Sequence, residues 1–241
     1  LIYEKKSISF PSVFNGLSRD ILQALEQASR QSLQLAAVCA CAGIIVGVIG
    51  LTGLGGRFSA LLLGAAGQSE LFALICAMLV ALILGMGMPT TAAYAIAASV
   101  VAPSLQRMGI EPLSAHFFVF YYAVISTITP PIALSGFAGA ALAGANPWKT
   151  SFKSVRYGIA AFIVPFLFIY HDEILMQGEW YSILHVAVTA AVGVWMIGIA
   201  SEGWFKGPLN RFMRVLFAIA AICLFAGGAY TDLIGLALGA V

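Results

Sequence analysis

Charge is scarce in this chain. Asp, Glu, Lys and Arg together make up 9% of its 241 residues, against about 25% in soluble domains. A water-soluble globule is therefore excluded, because nothing is left to cover its surface. No basic stripe with interleaved aromatics occurs, which removes nucleic-acid binding from the candidate functions. Cysteine numbers four, and Cys39, Cys41, Cys76 and Cys223 all lie in apolar runs without metal-ligand spacing to histidine. They read as buried, inert thiols. No nucleophile or acid–base pair stands inside an apolar stretch in a pattern that catalysis would need, so no enzyme is expected. An initiator methionine and a charged-then-apolar leader are also missing at Leu1, and the chain reads as a fragment of a longer polypeptide.

Apolar residues are what remains: 61% of the chain, with a mean hydropathy of +0.98. An all-α integral membrane protein follows, because only helices that satisfy their own backbone can cross lipid. Residues 1–34 hold most of the early charge (Glu4, Lys5, Lys6, Arg19, Asp20, Glu26, Arg30). Leu17, Ile21, Leu25 and Ala28 recur there at helical spacing, with Ser18 as a candidate cap, so this segment is expected to be an amphipathic connector or interfacial arm. Residues 35–67 are apolar but pitted with glycine. The run Gly50-Leu51-Thr52-Gly53-Leu54-Gly55-Gly56-Arg57 divides them into two arms too short to span, which predicts a re-entrant helical hairpin. The other reading of this segment is one span followed by a surface helix.

Two stretches, Ser69–Pro103 and Leu113–Ala145, are each much longer than the about 20 residues a straight span requires. Each is broken near its middle by polar helix-breakers: Gly85-Met86-Gly87-Met88-Pro89-Thr90-Thr91 in the first, Ser126-Thr127-Ile128-Thr129-Pro130-Pro131 in the second. Two discontinuous helices are predicted, each crossing once. Asn146 with Pro147 starts a further helix toward Tyr170, kinked at Pro165. Residues 68–175 thus form a core with two broken helices and a kinked one. Residues 176–241 form an additional C-terminal membrane region, with spans over Tyr181–Ala200 and Val215–Val241, the latter interrupted by Gly227-Gly228. The positive-inside rule places residues 1–34, Asn146–Arg156 and Ser201–Arg214 in the cytoplasm and His171–Glu179 outside. One hairpin plus about five crossings satisfies that bias.

A broken helix presents carbonyls at the end of its first half and N–H groups at the start of its second. Na⁺ takes several hard oxygen ligands, which backbone carbonyls and hydroxyls supply without a fixed charge. Gly85 and Gly87 are the expected carbonyl donors, and Thr90 and Thr91 the hydroxyl donors. Ser126, Thr127 and Thr129 play the corresponding part in the second break. Pro89, Pro130 and Pro131 keep the helices from closing over the gaps. Such paired breaks suit a secondary transporter with its site near the midplane. A channel or passive pore built on half-helices is the alternative. Arg57 has two readings, a contact for a substrate carboxylate or an arginine reaching an aqueous cavity or headgroup. His116, His171-Asp172-Glu173 and His185 read as packing or solvated groups rather than as a relay or a metal site.

The series Gly85-Met86-Gly87-Met88-Pro89-Thr90-Thr91-Ala92-Ala93-Tyr94, then Ala115–Tyr122, then Ser126-Thr127-Ile128-Thr129-Pro130-Pro131 resembles the large membrane subunit of tripartite ATP-independent periplasmic (TRAP) transporters. The longer Pro-Thr-Thr-Ala-Ala-Tyr version resembles fused permeases that work with TAXI-type binding proteins. The resemblance covers about residues 17–175. It implies the second of two inverted repeats of an ion-transporter-type fold, with the first repeat absent from this chain. It also implies an elevator-type, Na⁺-driven importer of organic anions in a bacterial or archaeal inner membrane. Its partners would be a periplasmic TAXI-type binding protein and a small membrane subunit or its fused equivalent. By the same resemblance, Gly50, Thr52 and Gly53 of the hairpin tip share one Na⁺ with the first break, the second break shapes the substrate side, and no cofactor beyond that ion is needed.

Overall fold

The computed structural model describes residues 10–66 and 69–239, and among these the secondary structure is helical, without a strand. Glu4, Lys5 and Lys6 of the expected arm lie outside the described residues. Helix α1 runs unbroken from Phe10 to Thr52 over 43 residues, so the arm and the apolar segment after it are one rod and Ser18 is interior to it rather than a cap. At Gly53, which has φ +66°, the chain bends into α2 (Leu54–Ala66). Helical hydrogen bonding resumes at once, since the amides of Gly56 and Arg57 both donate to the Gly53 carbonyl.

The re-entrant hairpin forms elsewhere than expected. Helix α3 (Glu70–Gly85) is followed by α4 (Thr90–Val100) and α5 (Ala102–Arg107). Glu70, at the start of α3, lines one polar cleft of about 270 Å³ with Met108, Gly109 and Glu111, just past the end of α5. A chain that kept its direction through the break would place those ends roughly 50 Å apart, at 1.5 Å per helical residue. Leu74, Ala77 and Ala81 of α3 instead bury themselves in one cluster with Ala97, Val101 and Leu105. The first broken stretch therefore turns back on itself at Met86–Pro89 and does not cross once.

The segment 35–67, in turn, is not a hairpin. The Cys39 thiol lies 3.8 Å from the Thr91 hydroxyl, and Gly56 lies against the Arg107 guanidinium. Helix α1 thus runs alongside α4 and α5 in the same direction, from the hairpin's tip to its base. Ala42 seals that contact against Ala92 and Ile96. Helix α2 begins near Arg107 and leads to Glu70, two points at the same end of the hairpin, so it lies across that end. One straight helix followed by a transverse one is the arrangement that forms.

The second broken stretch does continue through its break. Helix α6 (Pro112–Ile125) is capped by Glu111, whose carboxylate accepts from the Ser114 amide at 3.0 Å. It antiparallels α4, with Tyr94 packed edge-on against His116 and Phe120. After a tight turn at Ser126–Ile128 the chain resumes as α7 (Leu134–Ala143). Helix α8 (Pro147–Tyr157), capped by the Asn146 side chain at 3.1 Å, returns along α7, with Gly136 against Ser151 and Phe137 edge-on to Trp148. The chain then bends by 63° into the segment Ile159–Tyr170, whose last part is α9 (Val164–Tyr170).

That bend sits at Gly158, not at Pro165. Pro165 occupies the first turn of α9, where its missing N–H costs nothing. At Gly158 a Cβ would lie 2.8 Å from Ile128 Cδ1, so glycine admits the neighbouring break and pays for it with the local helix. A turn at Asp172–Leu175 leads to α10 (Trp180–Glu202), the one described helix that is long and apolar enough to cross a membrane by itself.

The expected last span, Val215–Val241, is instead two helices: α11 (Arg211–Phe225) and α12 (Ala229–Gly239). Gly227, at φ +65°, reverses the chain beside the His171 ring. Gly235 then comes back against the Ala220 carbonyl and Leu224. No single crossing forms from this stretch.

Candidate functional site

Three interruptions of helix meet in the middle of the fold. The first is the hairpin tip. Met86 leaves the helix in an extended conformation (φ −64°, ψ 128°), Gly87 has φ +77°, and Pro89 is extended again (φ −58°, ψ 146°). The positive φ of Gly87 is available to glycine at little cost. The second is Ser126–Ala133, which includes a cis bond between Pro130 and Pro131. The third is the Gly158 bend, pressed on Ile128.

The first two interruptions are in direct contact. A Cβ on Gly85 would lie 2.5 Å from Ser126 Oγ and 2.9 Å from Ser126 Cβ, and one on Gly87 would lie 3.4 Å from Ile132 Cγ2. Gly85 and Ser126 are both buried. The hairpin tip is therefore seated on the break in α6–α7, and glycine at position 85 is what allows the approach.

The polar groups here are arranged alike. Ser126 Oγ donates to the Ala123 carbonyl at 2.7 Å, Thr127 Oγ1 to Val124 at 2.8 Å, and Thr129 Oγ1 to Ile125 at 2.8 Å. Each hydroxyl spends its proton on the preceding turn, which leaves oxygen lone pairs as its remaining capacity. Helix α3 ends here with its terminal carbonyls, and α4 and α7 begin here without any side-chain cap. Helices α3, α6, α8 and α11 are capped by Ser69, Glu111, Asn146 and Asn210, whereas α5, α9 and α10, which start elsewhere, share the uncapped state of α4 and α7. Uncapped N–H groups attract anions, and helix C-terminal carbonyls attract cations.

Of the residues expected at the site, Gly85, Gly87, Thr90 and Thr91 stand on the hairpin tip or the first turn of α4. Ser126, Thr127, Thr129, Pro130 and Pro131 stand on the facing break. Gly50, Thr52 and Gly53 do not join them. Thr52 lies thirteen residues along α1 from Cys39, which is the residue that faces Thr91, and this is about 20 Å of helix. The Thr52 hydroxyl donates to the Val48 carbonyl at 2.7 Å in its own helix. Arg57, one residue past the Gly56–Arg107 contact, is also at the hairpin's base. Gly50 and Thr52 close α1, Gly53 turns the chain and Arg57 lies in the first turn of α2, so all four stand at the hairpin's base and away from its tip.

Sequence reasoning missed Ile132, which lies against Gly87, and Gly158, which lies against Ile128. Glycine and β-branched residues next to a known break were the available signal. It also missed the hydrogen bond between the Tyr94 hydroxyl and His116 Nδ1 at 2.9 Å, which ties the hairpin to α6. Ser69 caps α3, accepting from the Phe72 amide.

Among comparisons with known proteins, one protein family matches: that described as "Tripartite ATP-independent periplasmic transporter, DctM component", over residues 13–178. The match contains the hairpin, both interruptions and the Gly158 bend. No curated protein and no solved structure matches the chain.

Proposed function

The chain belongs to the DctM family, the large membrane component of tripartite ATP-independent periplasmic transporters, and we propose that its hairpin tip and facing break form the ion-coupling centre of a Na⁺-driven importer of organic anions. The family is a transporter component that works with a periplasmic substrate-binding protein and a small membrane subunit, and it is not an enzyme family. The observation that carries the proposal is the seating of Gly85 on Ser126. It sets the carbonyl end of α3 against the break that carries the Ser126, Thr127 and Thr129 hydroxyls, with Thr90 and Thr91 in the first turn of α4, where the Thr91 hydroxyl faces Cys39 of α1.

A Na⁺ ion would be held by carbonyls of the tip and by hydroxyl lone pairs, with no fixed charge to trap it permanently. The N–H groups of α4 and α7 would favour a substrate carboxylate on the other side of the tip. Transport would proceed by the hairpin and broken helices sliding as a body against a scaffold, an elevator-type motion. Closely packed elements of this kind move between discrete arrangements rather than deforming continuously. The Thr-Thr-Ala-Ala-Tyr sequence after Pro89 supports a TAXI-type binding protein and a fused permease as the working context, in a bacterial or archaeal inner membrane. The complementary half of the site would come from another repeat.

The test is Na⁺ dependence of uptake by the assembled transporter. Thr90→Val and Thr91→Val keep shape and remove the hydroxyl. In at least one of them the Na⁺ concentration for half-maximal uptake is expected to rise several-fold at unchanged protein level. Wild-type Na⁺ dependence in both rejects the ligand assignment, and full uptake with Na⁺ absent rejects coupling altogether.

The second break is tested separately. Pro130→Ala combined with Pro131→Ala restores N–H donors and lets the turn at Ser126–Ile128 extend toward α7. Uptake is expected to fall at least tenfold while membrane insertion is retained. Wild-type rates would make this break ordinary packing.

A further inference from the structure

The C-terminal helices, with the segment after Gly158, hold a second feature that ion coupling does not use. Helices α10 and α11 and the segment after Gly158 enclose a groove of about 560 Å³. Its body is apolar, formed by Ile159, Ile163, Ile197 and Val215. Arg211 and Arg214 line it where α11 begins and α10 ends.

The two arginines are not equivalent. Arg214 is fixed, its Nε donating to the Ala200 carbonyl and its Nη2 to the Ser201 carbonyl, both at 2.8 Å. It thereby closes the end of α10 while keeping its charge at the groove. Arg156 is also engaged, donating to the Ser201 and Glu202 carbonyls and lying 3.5 Å from the Glu202 carboxylate. Arg211 has no ion pair among the described residues. It stands in the first turn of α11, where no acidic residue occurs and where the helix dipole disfavours a cation. Three arginines and one glutamate leave this corner with a charge of +2, directly above an oily slot.

We propose that this groove binds one anionic phospholipid, its phosphate against Arg211 and Arg214 and an acyl chain along Ile159, Ile163, Ile197 and Val215. The charge selects the headgroup, and the apolar body selects a lipid over a free anion. A zwitterionic lipid would satisfy only the groove's body, and a peptide would bring backbone groups that its walls cannot pair. The inference rests on the membrane setting of the family and not on ion coupling.

The test uses the full chain, delipidated in detergent, with phosphatidylglycerol and phosphatidylcholine of identical acyl chains as probes. Binding is read by native mass spectrometry and by the shift in melting temperature. Phosphatidylglycerol is expected to bind more tightly, and Arg211→Gln to weaken it by about fivefold, the worth of one arginine near an anionic headgroup, with phosphatidylcholine unchanged. Ala218→Trp, which fills the groove without touching charge, is expected to weaken both lipids. Equal affinity for the two lipids overturns the proposal. So does an Arg211→Gln protein with undiminished preference for phosphatidylglycerol, and so does displacement of the lipid by millimolar inorganic phosphate, which would reveal a simple anion site. Because the readout is lipid binding, a failure here leaves the Na⁺ reading untouched, and the reverse holds.

Discussion

Gly85→Ala is expected to cut uptake by about ten- to a hundredfold, the consequence of roughly 1–3 kcal/mol of overpacking at a closely fitted contact, and Gly85→Val to abolish it. The added methyl would meet Ser126 Oγ at 2.5 Å, Ser126 Cβ at 2.9 Å and Ala123 Cα at 3.5 Å. None of these atoms can give way cheaply. Ser126 is fully buried, its hydroxyl is held by the Ala123 carbonyl, and its backbone belongs to the tight turn that ends α6. The hairpin tip would have to lift off the break, and with it the carbonyls and hydroxyls that the proposed ion requires together.

The same contact supplies its own control. Moving the methyl-sized volume from one side to the other, as Gly85→Ala with Ser126→Gly, removes the collision. The double variant is expected to regain protein level and substrate-dependent uptake relative to Gly85→Ala. It should not regain the wild-type Na⁺ requirement, because the Ser126 oxygen is gone. Packing and ligation are thus separated: stability reports the first and half-maximal Na⁺ the second. Wild-type uptake by Gly85→Ala alone would mean that tip and break do not press together during transport. A double variant no better than the single would mean that the damage lies elsewhere than at this pair.

The breaks were legible in the sequence because their chemistry is local. A run of Gly, Pro and Thr inside an apolar stretch cannot stay helical, whatever surrounds it. The direction the chain takes after a break was not legible. Gly53 alone bends α1 into α2, since the amides of Gly56 and Arg57 recover helical bonding within one turn. Met86, Gly87 and Pro89 depart from helix together, and with that succession the chain reverses. Both segments read as glycine-rich interruptions, and the packing of α1 on α4 decides between them.

Loop charge could not have exposed the exchange. A hairpin followed by a crossing and a crossing followed by a hairpin leave the loops near Arg107, Lys149 and His171 on the same faces. Position 158 shows the same limit from another side. Proline at 165 advertised a kink, but the bend belongs to the glycine that touches Ile128, a residue 30 positions earlier in the chain. Such bends are set by the neighbour and not by the residue's own propensity.

The C-terminal hairpin carries the remaining large effect. Asp232 lies in the first turn of α12, almost wholly buried, with His185 Nε2 of α10 at 3.3 Å. Neither carboxylate oxygen has a hydrogen-bond partner among the described residues. An acid inside the apolar run after Val215 was the signal for it, and its partner could be named only once Gly227 had turned α12 back along α10. Removing the imidazole while keeping the acid, as His185→Leu, is expected to destabilise the detergent-solubilised chain by on the order of 3 kcal/mol, because it strands a buried carboxylate. Asp232→Leu should cost less, since it leaves behind a half-exposed histidine that water can solvate. The double variant should be more stable than His185→Leu alone, as it removes the buried carboxylate that the single variant strands. Melting temperatures of the four proteins complete the cycle. If the two single effects simply add in the double variant, the residues are not coupled, and close packing such as that of Gly235 on Ala220 and Leu224 holds α12.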